Sequence, residues 1–378
     1  LIYQIRRRRR LISRNEDRRN FTNMYKIAIL SFYSGIVDRG VETFAFEISK
    51  RLSVKHKVTV FAAGHTKPQK YRVEEIKSFV STPKSTCGVL SKFYLDWSSV
   101  KILIFSLRAL LKIYRGKYDL IIPLNGGWQT LVFRIVTKIT GAKILTSGHA
   151  GIGSDDAANL FFRPDVFVAL TKAEADWAKR LAPEVEIVTI PNGVDLARFN
   201  PKVKSKTLPL AKPIAVCASA LVPYKRVDLT IKAIAKTKNL SLLILGDGQL
   251  HGMIDTLGKR LLGKRYLRLV VPYEQIPAYY RSGNVFTLAS KTEAFGISYV
   301  EAMACNLPVV TTADDSRAEI IGPAGILTDP GNVEQYAKDL ELAAKTNYKN
   351  IPYTQALKFS WNKVAQKYQA LINKLSIS

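Results

Sequence analysis

Short apolar runs alternate with longer amphipathic stretches along nearly the whole chain. In the first half, Tyr25 to Phe32, Lys57 to Ala63, Tyr118 to Pro123, Ala142 to Thr146, Val166 to Thr171 and Glu186 to Ile190 read as short strands. The most continuous of these runs suit strands buried on both faces, the condition of a parallel sheet. Between them, Val41 to Leu52, Val100 to Arg115 and Gln129 to Thr140 have helical character. The second half repeats the scheme, with strands at Pro213 to Ala218, Leu242 to Leu245, Tyr266 to Val271, Asn284 to Ala289, Pro308 to Thr311 and Ala324 to Leu327. Its helices are expected at Gln275 to Arg281, Phe295 to Cys305, Val333 to Ala344 and Thr354 to Lys374. Strand alternating with helix predicts the α/β class with parallel sheets. Residues 64–99 read as irregular and polar.

Residues 199–212 (F-N-P-K-V-K-S-K-T-L-P-L-A-K) are polar, basic and contain two prolines, which predicts a linker. It divides the chain into a first domain at 24–198 and a second at 213–358, with a closing helical stretch at 359–378. Residues 1–23 carry five consecutive arginines and no core pattern. Met24 stands directly before the first clear strand, so the native product is expected to begin there. The preceding residues are then an upstream translation or a disordered basic arm. They do not read as a signal peptide, because no apolar stretch follows the arginines.

Composition adds constraints. The chain has 378 residues, 47% hydrophobic and 23% charged, which is enough for two domains of ordinary size. Cys87, Cys217 and Cys305 have no metal-ligand spacing and suggest reduced thiols in a cytosolic setting. No structural metal is expected. The formal charge of +27 is spread over the whole chain, which suits a polyanionic partner of some kind. No nucleic-acid-binding motif accompanies it. The helix at Val100 to Arg115 carries Lys101, Arg108, Lys112 and Arg115, so an anionic membrane surface is one candidate partner. The other reading is an ordinary helix covering the sheet; it is preferred, since strand Tyr118 to Pro123 follows at once.

The most informative stretch is Lys291 to Thr311, K-T-E-A-F-G-I-S-Y-V-E-A-M-A-C-N-L-P-V-V-T. With the strand before it, this reads as one βαβ unit of about 30 residues. Gly296 leaves room for a ligand, and the N–H groups of Gly296, Ile297 and Ser298 at the helix start favour an anion. Glu293 lies in the turn before the helix and Glu301 about two turns along it, so both can face one cleft. A carboxylate at each end would suit a nucleotide-sugar.

This stretch resembles the Glu-x7-Glu motif of the retaining group 1 (family 4) glycosyltransferases, with Glu293, Phe295, Gly296, Glu301, Ala302 and Pro308 in register. The resemblance covers about residues 24–375 and implies the GT-B fold: two Rossmann-like domains facing across a cleft, the last helix crossing back to the first domain. Several other stretches contribute to it. The loop Tyr33 to Gly40 and the following helix are similar to the family's glycine loop, where Gly40 would let backbone approach a ligand. Turn geometry alone is the alternative for that glycine. Ser147 to Gly151 places His149 at the end of a strand, where the family's histidine contacts the donor sugar. Asn192 to Asp195 resembles the turn that ends the family's first domain. Lys225 and Arg226 fall in a loop like the family's diphosphate loop, although Ala220 stands where the family usually has a further arginine. Gly246-Asp247-Gly248 falls at the family's glycine turn, and Trp361 in Phe-Ser-Trp matches its closing helix.

The resemblance implies transfer of a sugar from a nucleotide-sugar with retention of configuration. Lys225 and Arg226, with the amides at Gly296 to Ser298, would neutralise the leaving diphosphate without a metal ion or other cofactor. Glu293 would hold the transferring sugar and stabilise its positive charge, Glu301 would bind the ribose, and Pro272-Tyr273 would border the base. His149 would reach the sugar from the other domain, so that closure completes the site. Asp155-Asp156 and Asp314-Asp315 are the acid pairs to be tested as metal ligands. The acceptor would be a glycan, lipid-linked sugar or small molecule, with surface polysaccharide or glycolipid synthesis the expected setting and the cytoplasm or inner membrane face the expected place. A nucleotide-sugar epimerase of the same fold and a non-catalytic polyanion-binding protein are the alternatives.

Overall fold

A computed structural model describes residues 24–37, 39–66, 68–79 and 95–375. The expectations for residues 1–23 and for Cys87 lie outside the described residues. By packing, the chain divides into one unit of residues 1–38, 45–145 and 365–378 and a second of residues 39–44 and 146–364.

In the first unit, β1 (Lys26–Leu30), β2 (Lys57–Ala62), β3 (Arg72–Glu75), β4 (Leu120–Pro123) and β5 (Lys143–Ser147) lie in the order β3-β2-β1-β4-β5. All are parallel to their neighbours, with Lys26 opposite Lys57 and Ile27 opposite Leu120. Ile27 to Leu30 are fully buried, as a strand covered on both faces must be. Phe32, Phe61, Phe105 and Phe133 fill the core, the last two from helices Trp97–Gly116 and Gly127–Thr140. Strand β3 falls in the stretch that reads as irregular. Its sequence R-V-E-E has one apolar residue, and as an edge strand it is charged, with Glu74 paired to Arg72 and Lys112.

In the second unit, β6 (Val166–Ala169) and β7 (Glu186–Thr189) form a parallel pair. A six-stranded parallel sheet follows: β8 (Ile214–Ala218), β9 (Ser241–Leu245), β10 (Tyr266–Leu269), β11 (Val285–Leu288), β12 (Val309–Thr312) and β13 (Gly325–Thr328). Their order is β10-β9-β8-β11-β12-β13. The chain winds one way from β8 and then, from β11, the other. The loops leaving the carboxyl ends of β8 and β11 thus diverge and open a crevice between them, which is where open α/β sheets bind ligands.

Residues 199–212 are irregular and anchored. Phe199 is buried, Leu208 and Leu210 pack on the core, and Ser282 Oγ donates to the Lys206 carbonyl at 2.7 Å. The closing stretch is not one helix from 354 to 374. Helix Ile351–Ala356 runs into a single tight turn, Ser360 is extended, and a new helix spans Trp361–Leu375. The break exists because Ser360 bridges Val194 in parallel fashion, with Val194 N donating to the Phe359 carbonyl at 2.8 Å. Trp361 then lies where a Cβ on Gly193 would sit 2.5 Å from its ring, so the Asn-Gly turn is fixed by packing.

Candidate functional site

The loop after β8 makes one tight turn, Pro223–Lys225, and leaves it through Arg226, whose φ is 49°. That left-handed residue re-aims the chain into helix Val227–Lys236. Glycines explain how the loop is held. A Cβ on Gly246 would meet the Ser219 carbonyl oxygen at 2.0 Å, and one on Gly248 the Leu221 carbonyl oxygen at 2.6 Å. The Gly-Asp-Gly turn after β9 thus lets two backbones touch, and Leu221 N donates to the Asp247 carbonyl at 2.8 Å. Gly246 permits this close approach.

The loop after β11 comes alongside, with Lys291 N donating to the Tyr224 carbonyl at 2.8 Å. This brings Lys225 Nζ within 2.5 Å of Glu293 Oε1, both side chains being mostly buried. Arg226 turns another way. Its Nε donates to the Ala289 carbonyl at 2.7 Å and its Nη2 to Thr312 Oγ1 at 3.2 Å, tying the ends of β11 and β12 together. Ala220, exposed on the same loop, brings no charge.

Helix Ile297–Ala304 begins two residues later than expected. Phe295 is buried and meets the Phe359 ring edge-on at 5.6 Å, so its side chain anchors the loop to the core. Gly296 has φ 81°, and a Cβ there would lie 2.2 Å from the Tyr299 ring. The residue must therefore be glycine for the first helical N–H groups to stand at the crevice. Tyr299 and Arg317 are supports that sequence reasoning passed over. Buried Arg317 donates from Nη2 to the Ser290 carbonyl at 3.0 Å and from Nε to Tyr299 Oη at 3.3 Å. Nothing in the surrounding Asp-Asp-Ser-Arg signals that this arginine is buried.

Glu301 is buried between two tyrosines, accepting hydrogen bonds from Tyr273 Oη and, at 3.3 Å, Tyr280 Oη. Burial pushes its carboxyl up to about 7 despite both bonds. Tyr273 is stacked by the Arg198 guanidinium at 4.9 Å. The turn around Asp195 is local, its carboxylate accepting from Ala197 N at 3.0 Å.

His149 belongs by packing to the same unit as Glu293, not to a different one. The reason lies in its loop. A Cβ on Gly151 would stand 3.0 Å from Ala294 Cα, so the His149 loop abuts the Glu293 loop directly. Asp156 holds it there, accepting from Ala150 N at 3.0 Å and Gly151 N at 2.8 Å. Burial raises Asp156 to about 7 and Glu174, behind Gly148, to about 9. The Thr-x-x-Glu at Thr171 to Glu174 is a helix-start signature that points to this glutamate, which accepts from Leu170 N at 2.7 Å. His149 packs on the Phe44 ring at 4.5 Å, burial lowers it to about 4, and its shielded Nε2 has no hydrogen-bond partner among the described residues. Gly40 is in the same unit, with Ile297 Cδ1 at 3.4 Å from where its Cβ would be.

One residue of each acid pair has a local partner. Asp156 is spent on the loop, and Asp314 caps helix Asp315–Ile321 and pairs with Arg317. Among the described residues no cluster of three or more metal-ligating side chains occurs. Cys217 and Cys305 are free and buried, and burial pushes each up to about 12.

Two parallel-sheet units of alternating strand and helix, with charged loops at the switch point of the second, define an α/β protein of the GT-B glycosyltransferase fold. HepE of Anabaena, crystallised with UDP and glucose, superposes with a TM-score of 0.73 at 18% identity, covering 93% of this chain and 100% of that one. Sucrose-phosphate synthase from Thermosynechococcus elongatus gives 0.74 at 19% identity over 93% and 99%. The model of glycosyl transferases group 1 matches residues 199–356 and that of glycosyltransferase family 4 residues 39–198. The chain belongs to the group 1 (family 4) glycosyltransferases. A GDP-mannose-dependent phosphatidylinositol monomannoside mannosyltransferase of Mycolicibacterium smegmatis is 27% identical over 42% of this chain and 47% of its own length. One subunit of the Homo sapiens phosphatidylinositol N-acetylglucosaminyltransferase is 24% identical over 94% of this chain and 77% of its own length. The chain spans about half the length of the first curated relatives it matches.

Proposed function

We propose that the chain transfers a hexosyl group, with retention of configuration, from a nucleotide-sugar to a glycan, lipid-linked or small-molecule acceptor, and that it does so without a metal ion or other cofactor. The observation that carries this reading is the Lys225–Glu293 ion pair at the switch point of the second sheet, beside the start of helix Ile297–Ala304.

As the bond between the anomeric carbon and the diphosphate breaks, negative charge gathers on the phosphate and positive charge on the sugar. Lys225 and the helix N–H groups at Gly296 to Ser298 face the first, and Glu293 the second. Arg226 ties the ends of β11 and β12 together and lends its remaining N–H groups to the field. The ion pair fixes Lys225 and Glu293 beside the crevice before the donor arrives. His149 is neutral near pH 7, so it offers the sugar a hydrogen-bonding atom and not a cation. Glu301 takes the ribose together with Tyr273, and Gly40 leaves space at Ile297. On this reading residues 24–198 are the acceptor domain, residues 213–358 the donor domain, and the protein works in the cytoplasm or peripherally at the inner membrane face, in surface polysaccharide or glycolipid synthesis.

A thermal-shift screen of UDP-, GDP- and ADP-sugars with and without EDTA tests the reading. One donor should raise Tm equally in both conditions. No shift with any donor, or a shift only with a divalent cation, contradicts it. Isomerised donor formed in the absence of acceptor would mark an epimerase instead.

A further inference from the structure

Helices Trp97–Gly116 and Gly127–Thr140 pack side by side in the first unit, and each buries one face against the sheet. Each also leaves a second apolar face uncovered. Leu107, Leu111 and Tyr114 on one, and Ile135 and Ile139 on the other, are between 49% and 69% exposed. Tyr114 and Ile139 line one surface cavity of about 760 Å³, so the two exposed faces adjoin. Scattered exposed leucines are ordinary, but five large apolar side chains on two neighbouring helices are not.

Charge supplies the second observation. The two helices carry six basic residues and no acidic one, in a protein with 30 acids. Lys112 faces Glu74 and Arg108 packs on Phe79, whereas Arg115 and Lys138 are exposed beside the apolar strip. Lys117 adds another exposed cation where the first helix ends. The acid that lines the same cavity, Asp119, accepts from Lys26 N at 2.7 Å, and cations outnumber it around the apolar strip. Apolar side chains flanked by net positive charge match a surface with negative head groups over hydrocarbon. A folded protein partner would have to present its own apolar patch; a bilayer presents one everywhere.

We propose that this two-helix face docks on an anionic lipid bilayer, with the Leu107, Leu111, Tyr114, Ile135 and Ile139 side chains entering the head-group boundary and Arg115, Lys117 and Lys138 meeting lipid phosphates. The proposal gives the membrane placement suggested above a specific surface, and it stands on the faces of these helices whatever the sugar chemistry proves to be. The first helix covers the sheet, the preferred reading of its sequence, and leaves Leu107, Leu111 and Tyr114 exposed on another side.

The test is flotation of the full chain, without nucleotide-sugar, on vesicles of phosphatidylcholine alone or mixed equally with phosphatidylglycerol. Wild type should float with the mixed vesicles only, and less as salt rises. The double variant Leu111→Gln with Ile139→Gln keeps net charge and exposed positions, and should lose binding at least about tenfold with an unchanged circular dichroism spectrum. Equal binding by this variant would assign any vesicle affinity to general basicity and overturn the proposal. So would wild-type binding to neutral vesicles as strong as to anionic ones, no binding to either, or a dimer dissociated by the same substitutions. Donor binding measured on the same variant should be unchanged, so failure here is distinct from failure of the glycosyltransferase reading.

Discussion

Lys225 and Glu293 stand 68 residues apart in the chain and 2.5 Å apart in the fold, one from each loop at the point where the second sheet reverses its winding. Each is what the other loop closes onto. On the proposed reading, the pair joins a cation for a leaving diphosphate to a carboxylate for a cationic sugar.

Lys225→Ala removes a charge fixed before reaction and leaves Glu293 without its partner. The expected result is a fall in kcat of about 100- to 1000-fold, typical of losing one preorganised donor. Steady-state kinetics with the donor found by the thermal screen measures this. A variant within about threefold of wild type takes Lys225 out of the mechanism.

Glu301→Ala should act on binding. Removing its carboxylate frees Tyr273 and Tyr280 from their acceptor and, on the reading above, deletes a ribose contact. Calorimetry should show nucleotide affinity reduced by about tenfold or more, the effect of one charged hydrogen bond. Unchanged affinity refutes the ribose role.

The architecture was legible because a parallel strand buried on both faces must be apolar throughout, as Ile27 to Leu30 are. Glu293, Gly296 and Glu301 were legible because their spacing around a helix start has chemical meaning. What escaped has physical reasons. Strand β3 is a charged edge, and an edge needs no apolar pattern. The break at Ser360 depends on Val194, which is distant in sequence. The bonds of Arg226 to Ala289 and Thr312 were not legible, because they depend on strand ends more than 60 residues away. Phe295 reads as part of the motif and packs in the core. His149 reads as a residue of the first half, and that its loop also abuts Ala294 depends on Gly151, which is distant from Ala294 in sequence.

Gly296→Ala forces a Cβ into a position 2.2 Å from the Tyr299 ring at a φ of 81°. The substitution should cost about 1–3 kcal/mol of stability, since the strain adds to displacement of the ring. Denaturant melts measure the loss. A midpoint equal to wild type would show that the helix start can relax, and with it that the glycine is not required for the site's geometry.

Glu174 provides a pH test of the loop's support. Its carboxyl is raised from an ordinary 4.5 to about 9, first by burial and then by Asp156. A raised acid contributes stability that is present below its unfolded value and is lost as pH rises towards its folded one. Glu174→Gln mimics the protonated form and keeps an acceptor for Leu170 N. The variant should match wild type near pH 5 and gain Tm relative to it as pH approaches 9. A difference that stays constant over that window, or changes in the opposite direction, would mean the carboxyl is ionised in the folded protein.

The most direct measurement is calorimetry of the cognate nucleoside diphosphate, in EDTA, with wild type and with Lys225→Ala. If fixed protein cations receive the diphosphate, wild type binds with the metal removed and the variant binds at least about tenfold more weakly. Binding that appears only when a divalent cation is restored, or that is the same in both proteins, contradicts it.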